Sequence, residues 1–570
     1  MTSALVTIAG LTAGLSASLA MLAGASYAQD ARPNMLVIVV DDLGFSDLGA
    51  FGGEIDTPNL DRLVQGGLQL TNYHVAPTCS PTRSMLMSGT DNHVAGLGNM
   101  AEEVLEEQRG RPGYEGFLTD RVATLPEVLR NNGYHTLMSG KWHLGMQEGQ
   151  RPKARGFEHS VALLNAAAHH FDDTGMIEKA AKASYTRDDV AITLPEDFYT
   201  TDYFTTAMIE QIDSVQDGAP FFGYLAYTAP HWPLQAPEET IRQYTGKYDG
   251  GYEAIRQART ERMRDLGLLV PGVAPNPVPD LWPHWDELDA DQKKTEARKM
   301  EIYAAMVHKI DENVGRLVEH LEAIGELDDT IFIFFSDNGA EGELPENIMG
   351  GRNRDWIAQN FDNSFDNLGK KGSYAGYGPS WAQVSQTPFR MFKGHPYEGG
   401  TRAPAFITYA GWQGGRQADD FIHVTDIAPT LIEIAGAQWP ERRGDVALAP
   451  LTGHSILPWL EGRQQAARPQ AEPVCLELFG RVAVWKDGWK LVHTNQPWGT
   501  GDFELYDLAS DPTELSDVSA GNPDKITELK SAWADCQEKY GIYWNPGLAP
   551  QMVYANGTEY LFRPPHLANP

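Results

Sequence analysis

Cysteine is scarce in this sequence: Cys79, Cys475 and Cys536 are the only three in 570 residues. That excludes a scaffold built on disulfides. At most one can form, with Cys475 and Cys536 the expected pair and Cys79 left over. Positive charge is scarce too, since 45 Lys and Arg against 77 Asp and Glu leave a formal net charge of −32. A surface so acidic repels phosphate backbones and anionic lipid, which argues against nucleic-acid and membrane-surface binding, so that no stable membrane association is expected, and disfavours long polyanionic substrates. Apolar runs long enough to span a bilayer are missing after the N-terminus. Internal repeats and low-complexity tracts are missing as well, and the apolar and charged fractions are those of a globular chain.

The N-terminus is different. Its first 28 residues carry no charged side chain, and Ser26 and Ala28 precede Gln29 as at a signal-peptidase site. We read residues 1–28 as a signal peptide, which makes the protein periplasmic or secreted. A retained anchor is the competing reading, because the segment has no basic n-region and is long enough to span.

Apolar runs alternate with helical patterns, as expected of a largely parallel sheet covered by helices. Four runs lead into chemistry. Met35–Val40 ends in Asp41-Asp42, Thr136–Met138 leads into Gly140-Lys141-Trp142-His143, Phe221–Tyr227 leads into Ala229-Pro230-His231, and Ile331–Phe335 ends in Ser336-Asp337-Asn338-Gly339. Each ending taken singly is an ordinary turn or loop start. Ligands of open α/β sheets bind beyond the carboxyl ends of the strands, so together they predict one shared site. Asp41, Asp42, Asp337 and Asn338 offer only oxygen, a donor set for a hard cation such as Ca²⁺ and a poor one for Zn²⁺. Helices are expected over Val122–Arg130, Asp289–Ile324 and Asp426–Ala435. The proline-rich stretch between about residues 240 and 290 reads as an insertion, either a lid near the site or a plain surface loop.

The leftover cysteine opens the segment Cys79-Ser80-Pro81-Thr82-Arg83. Proline there suits the first turn of a helix, which places residue 79 at a helix N-terminus and Arg83 one turn on. A thiol so placed is expected to have a lowered pKa and to act as a nucleophile on an oxyanion ester, although no glycine-rich phosphate cradle accompanies it. A buried small hydrophobe is the plainer alternative.

Cys-x-Pro-x-Arg followed by Ser88-Gly89 resembles the signature of the type I sulfatases, and the likeness extends over nearly the whole chain past the N-terminus. DDLGFSDLGAFGGEIDTPNLDRL, GKWHLG, TAPHWPLQAP, FSDNGAE, FKGHPYEGGTRAP and ELYDLASDPTELSDV are similar to that family's successive motifs, most of all to those of bacterial arylsulfatases. The resemblance implies that a formylglycine-generating enzyme converts Cys79 to formylglycine (3-oxoalanine). It implies one Ca²⁺ per chain on Asp41, Asp42, Asp337, Asn338 and modified Cys79. It also implies hydrolysis of a small sulfate monoester, aryl sulfates first, through a formylglycine-hydrate nucleophile and a sulfo-enzyme intermediate. Arg83, Lys141 and Lys393 would then stabilise charge on the sulfonyl oxygens, and Asp337 would deprotonate the attacking hydroxyl. His231 or Lys393 would protonate the leaving oxygen, and His143 would take the last proton as sulfate is expelled. His74, His93, His169, His170, Trp232 and Tyr397 are weaker candidates, for which structural roles are at least as well motivated.

The expected architecture is a large mixed, mostly parallel sheet sandwiched by helices, alkaline-phosphatase-like, over residues 33–465. A smaller C-terminal α+β part, 466–570, would hold an antiparallel sheet, a helix over Asp524–Glu538 and a tail with a sequon at Asn556. Two rival functions stay open: a phosphonate or phosphate ester hydrolase on the same fold, and an unmodified Ca²⁺-binding protein without turnover.

Overall fold

The computed structural model describes residues 32–563 apart from 216, 271, 349–352, 549–550 and 556–558. The 1–28 segment and the Asn556 sequon fall outside the described residues. Among those described, no helix is long and apolar enough to cross a membrane.

The central sheet contains β1 (Asn34–Asp41), β2 (Leu68–His74), β3 (His135–Lys141) and β4 (His159–Leu163). A separate hairpin follows, β5 (Thr174–Ile177) with β6 (Ala180–Lys182). The sheet then takes up β7 (Tyr185–Arg187), β8 (Val190–Ala191), β9 (Phe221–Pro230), β10 (Thr330–Ser336), β11 (Arg402–Thr408), β12 (Arg416–Ala418) and β13 (Ile422–His423). Its order is β12-β2-β11-β10-β1-β9-β3-β4-β7-β8, with β13 against β2. The five middle strands, β10 through β4, run parallel, and antiparallel pairs flank them.

Strand β1 shows why the middle is apolar throughout. Its alternate residues serve two cores, Leu36, Ile38 and Val40 on one face and Met35, Val37 and Val39 on the other. A parallel strand covered by helices on both faces needs apolar side chains on both. The long helix Ala290–Ala323 covers the first face through Met300, Tyr303, Ala304, Val307 and Ile310, and Asp289 caps it by accepting from the Asp291 and Gln292 amides. Where a helix was expected over Val122–Arg130, the structure has Leu125–Asn131, because Thr124 and Glu127 form a reciprocal capping box that starts it later.

The insertion is neither lid nor plain loop. It contains the helix Gly251–Asp265, and Arg259 on it is fully buried, donating to Asp47 at 2.6 Å and Glu54 at 2.8 Å. Trp282 and Trp285 from the same stretch are packed into the core.

Further along the chain, Val474–Leu478, Arg481–Lys486, Trp489–His493 and Phe503–Asp507 form a separate four-stranded antiparallel sheet. The helix Pro523–Tyr540 packs on it, and the Cys475–Cys536 disulfide joins the two. This unit is tied to the rest by ion pairs: Lys490 Nζ lies 2.8 Å from Glu398, as it does from Glu514 of its own unit, and Arg390 lies 3.2 Å from Glu504.

Candidate active site

The carboxyl ends of β10, β1, β9 and β3 lie side by side, with Val39 in register with Phe335 on one side and Ala226 on the other. The four predicted strand endings therefore meet. Asp41 is the last residue of β1, and Asp42 turns out of the strand at φ 68°. His143, just past β3, has φ 52°, and Met391, before Lys393, has φ 62°. Left-handed backbone at three non-glycine residues around one site is a strain that the surrounding packing must hold.

Cys79 begins the helix Cys79–Ser88, and Gly89 ends it in the left-handed region at φ 59°. The thiol is buried and unpaired in a disulfide. Its Sγ and carboxylate oxygens of Asp41, Asp42 and Asp337 all lie within 4.8 Å of one another. Burial pushes the thiol well up, more than Lys141 and Lys393 pull it down, so the lowered pKa expected of a thiol at a helix N-terminus is not found. The dipole of one short helix does not compensate for a thiolate set among buried carboxylates.

Each carboxylate has a cation. Lys141 Nζ reaches both oxygens of Asp41 at 2.8 Å. Arg83 donates to Asp337 from Nε at 2.8 Å, with Nη2 at 2.7 Å from the same oxygen. Lys393 Nζ sits 2.9 Å from Asp42 and 2.9 Å from Glu341. Burial works against charge on Asp41, yet Lys141, His231, Arg83 and Lys393 hold it well below the usual carboxylate range. Asp42 and Asp337 are instead pushed up, by burial first and by their acidic neighbours as well.

The donor set fits a hard cation on one further observation. Asn338 Oδ1 is buried with no hydrogen-bond partner, while its amide nitrogen donates to Asp42 at 2.5 Å. An orphaned amide oxygen beside three converging carboxylates is what a cation's last ligand would be.

The histidines differ. His231 Nδ1 lies 2.5 Å from the Trp232 carbonyl and must donate to it, which leaves Nε2, 3.5 Å from Asp42, as the ring's acceptor in the neutral form. Burial, with Lys393 adding to it, lowers the pKa of His231 to about 3. His143 Nε2 is 3.0 Å from Glu102, while its Nδ1 is buried without a partner.

All seven candidate catalytic residues and the three remaining cation ligands, Asp41, Asp42 and Asn338, lie in this one cluster or border it. A cavity of about 660 Å³ opens over it, lined in part by Cys79, Lys141, His143, His231, Trp232 and Lys393. Neither the insertion nor His74, His93, His169, His170 or Tyr397 lines that cavity. His93 pairs with Asp91 and Glu477, His74 with Glu398, and His170 bridges Thr200 and the His231 carbonyl. Glu398–Arg402 backs the Lys393 loop at close range. A Cβ on Gly400 would stand 2.0 Å from the His395 carbonyl, so only glycine fits there.

Among the lining residues that were not foreseen are Glu102, Glu341 and Arg481. Glu341 stands inside the quoted FSDNGAE segment, where its spacing from Asp337 was the available signal. Glu102 and Arg481 reach the cavity from a loop and from the C-terminal sheet, and local sequence carries no sign of either.

Comparison with known proteins agrees with this geometry. A family model described as Sulfatase matches residues 33–437, and one described as N-sulphoglucosamine sulphohydrolase, C-terminal, matches 389–538. An uncharacterized sulfatase of Schizosaccharomyces pombe is 41% identical over 538 residues, covering 91% of this chain and 96% of that one. An arylsulfatase of Klebsiella aerogenes is 38% identical over 444 residues, covering 77% and 94%. Among solved structures, Ps i-CgsB bound to neocarrahexaose superposes with a TM-score of 0.62 at 23% identity, over 88% of this chain and 93% of that one. A phosphonate monoester hydrolase of Agrobacterium radiobacter does so with 0.55 at 20%, over 89% and 96%. Both structures share the fold.

Proposed function

The chain belongs to the sulfatase family, and from that premise we propose that it hydrolyses aryl sulfate monoesters to a phenol and sulfate with modified Cys79 as nucleophile. As a sulfatase it is a sulfuric ester hydrolase. The observation that carries the finer reading is the setting of Cys79: a buried sulfur at a helix N-terminus, among three carboxylates that are each paired with a cation. A thiol held protonated there is a poor nucleophile, whereas an aldehyde hydrate at that carbon has a hydroxyl to attack with and a second to eliminate with.

Asp41, Asp42, Asp337 and Asn338 would hold Ca²⁺, which supplies Lewis-acid stabilisation of developing oxygen charge. Lys141 and Lys393 line the cavity beside residue 79 and would stabilise the same charge on the sulfonyl oxygens, while Arg83 acts through its contacts with Asp337 and Asp41. Asp337 accepts the proton of the attacking hydroxyl. Lys393 rather than His231 gives a proton to the leaving oxygen, since the neutral His231 ring presents an acceptor to the site. His143, oriented by Glu102 through Nε2, has Nδ1 free to take the final proton. Aryl specificity is supported by the cavity's apolar lining, which includes Phe117, Met146, Trp232, Phe392 and Phe479.

The test is the mass of the peptide Leu63–Arg83 from protein made beside a formylglycine-generating enzyme. A species lighter by the thiol-to-aldehyde difference, shifted again by a carbonyl reagent, is the expected result. An unmodified thiol in a preparation that turns over aryl sulfates would sink the mechanism. The cation is tested without activity: Ca²⁺ added to chelator-treated protein should raise its unfolding free energy by about 2.7 kcal/mol at a hundredfold excess over Kd. An unchanged melting curve and no calorimetric binding would exclude that site. The shared fold of the phosphonate monoester hydrolase makes relative rates on matched phenyl sulfate and phenyl phosphonate the check on the leading alternative, with sulfate expected to dominate.

A further inference from the structure

The cavity also holds carboxylates that the chemistry above does not use. Glu103 and Glu343 both line it and both are half-buried. Neither forms a salt bridge or side-chain hydrogen bond among the described residues, and Glu343 Oε1 is fully buried with no partner. The other acidic residues nearby are engaged, Glu102 by His143, Glu341 by Lys393 and Glu115 by Arg121. Burial, with Glu102 adding to it, pushes Glu103 up to about 8, as expected of a carboxylate lacking a counter-cation, and burial, with Glu341 and Glu103 adding to it, pushes Glu343 up against the pull of Lys393 and Arg481.

Aromatic rings share this cavity. Trp232 is one, and Phe479 is another. Phe479 occupies a two-residue turn between Leu478 and Arg481 with φ 56°, followed by Gly480 at 77°. Such turns favour Asn-Gly, because two left-handed residues in succession disfavour a bulky side chain. A phenylalanine kept there against that preference, in the lining of a ligand cavity, points to a function for its ring. Carboxylates beside aromatic rings in a water-poor pocket are the chemistry that recognises an ammonium group.

The net charge leads to the same conclusion. A protein at −32 repels an anionic sulfate ester, but it does not repel one whose organic half carries a compensating positive charge.

We propose that the preferred substrate is an aryl sulfate bearing a protonated amine, with the ammonium held between Glu103 and Glu343 against the rings of Trp232 and Phe479. This rests on the sulfatase reading of the same cavity and specifies its leaving group. The amine takes no part in the reaction; it adds binding energy that orients the ester.

Three esters matched in shape test it: para-(aminoethyl)phenyl, para-propylphenyl and para-(carboxyethyl)phenyl sulfate. Wild-type kcat/KM should be at least about tenfold higher for the amine than for the propyl ester, the sum of a cation–π contact and a half-exposed ion pair. That ratio should fall toward one in Glu103→Gln/Glu343→Gln. Calorimetric binding of the same esters to the Cys79→Ala protein gives the ranking without turnover, so it holds even if the variant pair fails to fold. Equal or better handling of the propyl ester, by both measures, overturns the proposal while leaving the sulfatase reading intact. Preference for the carboxylate ester overturns it too, and points instead to Arg481, whose Nε and Nη2 are buried without partners. No hydrolysis of any ester by formylglycine-bearing protein would count against the aryl sulfatase reading itself, and the binding ranking would still decide the inference.

Discussion

Cys79→Ala is expected to lower kcat on any aryl sulfate by about 10⁴-fold or more, with little change in melting temperature. The fold should tolerate the change because the sulfur is 2% exposed but makes no strong contact: its nearest polar partner is Asp42 Oδ1 at 4.0 Å. Removing one buried sulfur costs about 1 kcal/mol, small against a domain this size. The ion pairs that shape the site, Lys141 with Asp41, Arg83 with Asp337 and Lys393 with Asp42, do not involve residue 79. Activity therefore falls without the site collapsing. Cys79→Ser is the sharper comparison. A serine hydroxyl beside Asp337 can attack sulfur once but has no second hydroxyl with which to expel sulfate. Mixing that variant with an aryl sulfate should release at most one equivalent of phenol and leave the protein heavier by one SO₃ unit, as a serine sulfate ester. Sustained turnover by Cys79→Ser, expressed without a modifying enzyme, would show that an aldehyde is unnecessary and return the assignment to simple hydroxyl or thiol chemistry.

That experiment probes the part of the site that was legible in sequence, and the reason it was legible is physical. A parallel strand buried on both faces must be apolar along its length, so the first polar residues after it mark the sheet edge where ligands bind. Asp41-Asp42, Lys141, His231 and Asp337-Asn338 all announce themselves this way. Cys79 and Arg83 announce themselves by one turn of helix. Side chains that reach the cavity through tertiary packing give no such sign. Glu102 comes from an irregular loop, and Arg481 from a sheet far downstream of it in the chain, held in place by Lys490 between Glu398 and Glu514. The insertion misled for a related cause. Its prolines and charges read as surface, but Arg259 is buried because Asp47 and Glu54 meet it, and charge pairing across two hundred residues leaves no local pattern. The thiol's pKa misled because a helix dipole is visible in sequence and burial among carboxylates is not.

Lys393→Ala should cost most where the leaving group is worst. Lys393 Nζ is held between Asp42 and Glu341, and those two carboxylates more than offset burial in keeping it protonated at neutral pH. A proton delivered to the departing oxygen matters in proportion to the basicity of that oxygen. The expected loss in kcat/KM is therefore about 10²- to 10⁴-fold on phenyl sulfate but about tenfold or less on para-nitrophenyl sulfate, whose phenolate leaves unaided. His231→Ala should behave differently. With Nδ1 committed to the Trp232 carbonyl, the neutral ring offers Nε2 as an acceptor, so its loss should weaken both esters to a similar degree. A plot of log kcat/KM against leaving-group pKa separates the two: steepened by Lys393→Ala, displaced in parallel by His231→Ala. Were the slopes exchanged, His231 would be the acid, and its ring would have to charge in the enzyme–substrate complex against the burial and the Lys393 charge that now hold it neutral. The sulfate's own negative charge, arriving beside Nε2, is the one change that could bring that about, and it is present equally with both esters. A leaving-group effect confined to Lys393 therefore assigns the proton to the lysine.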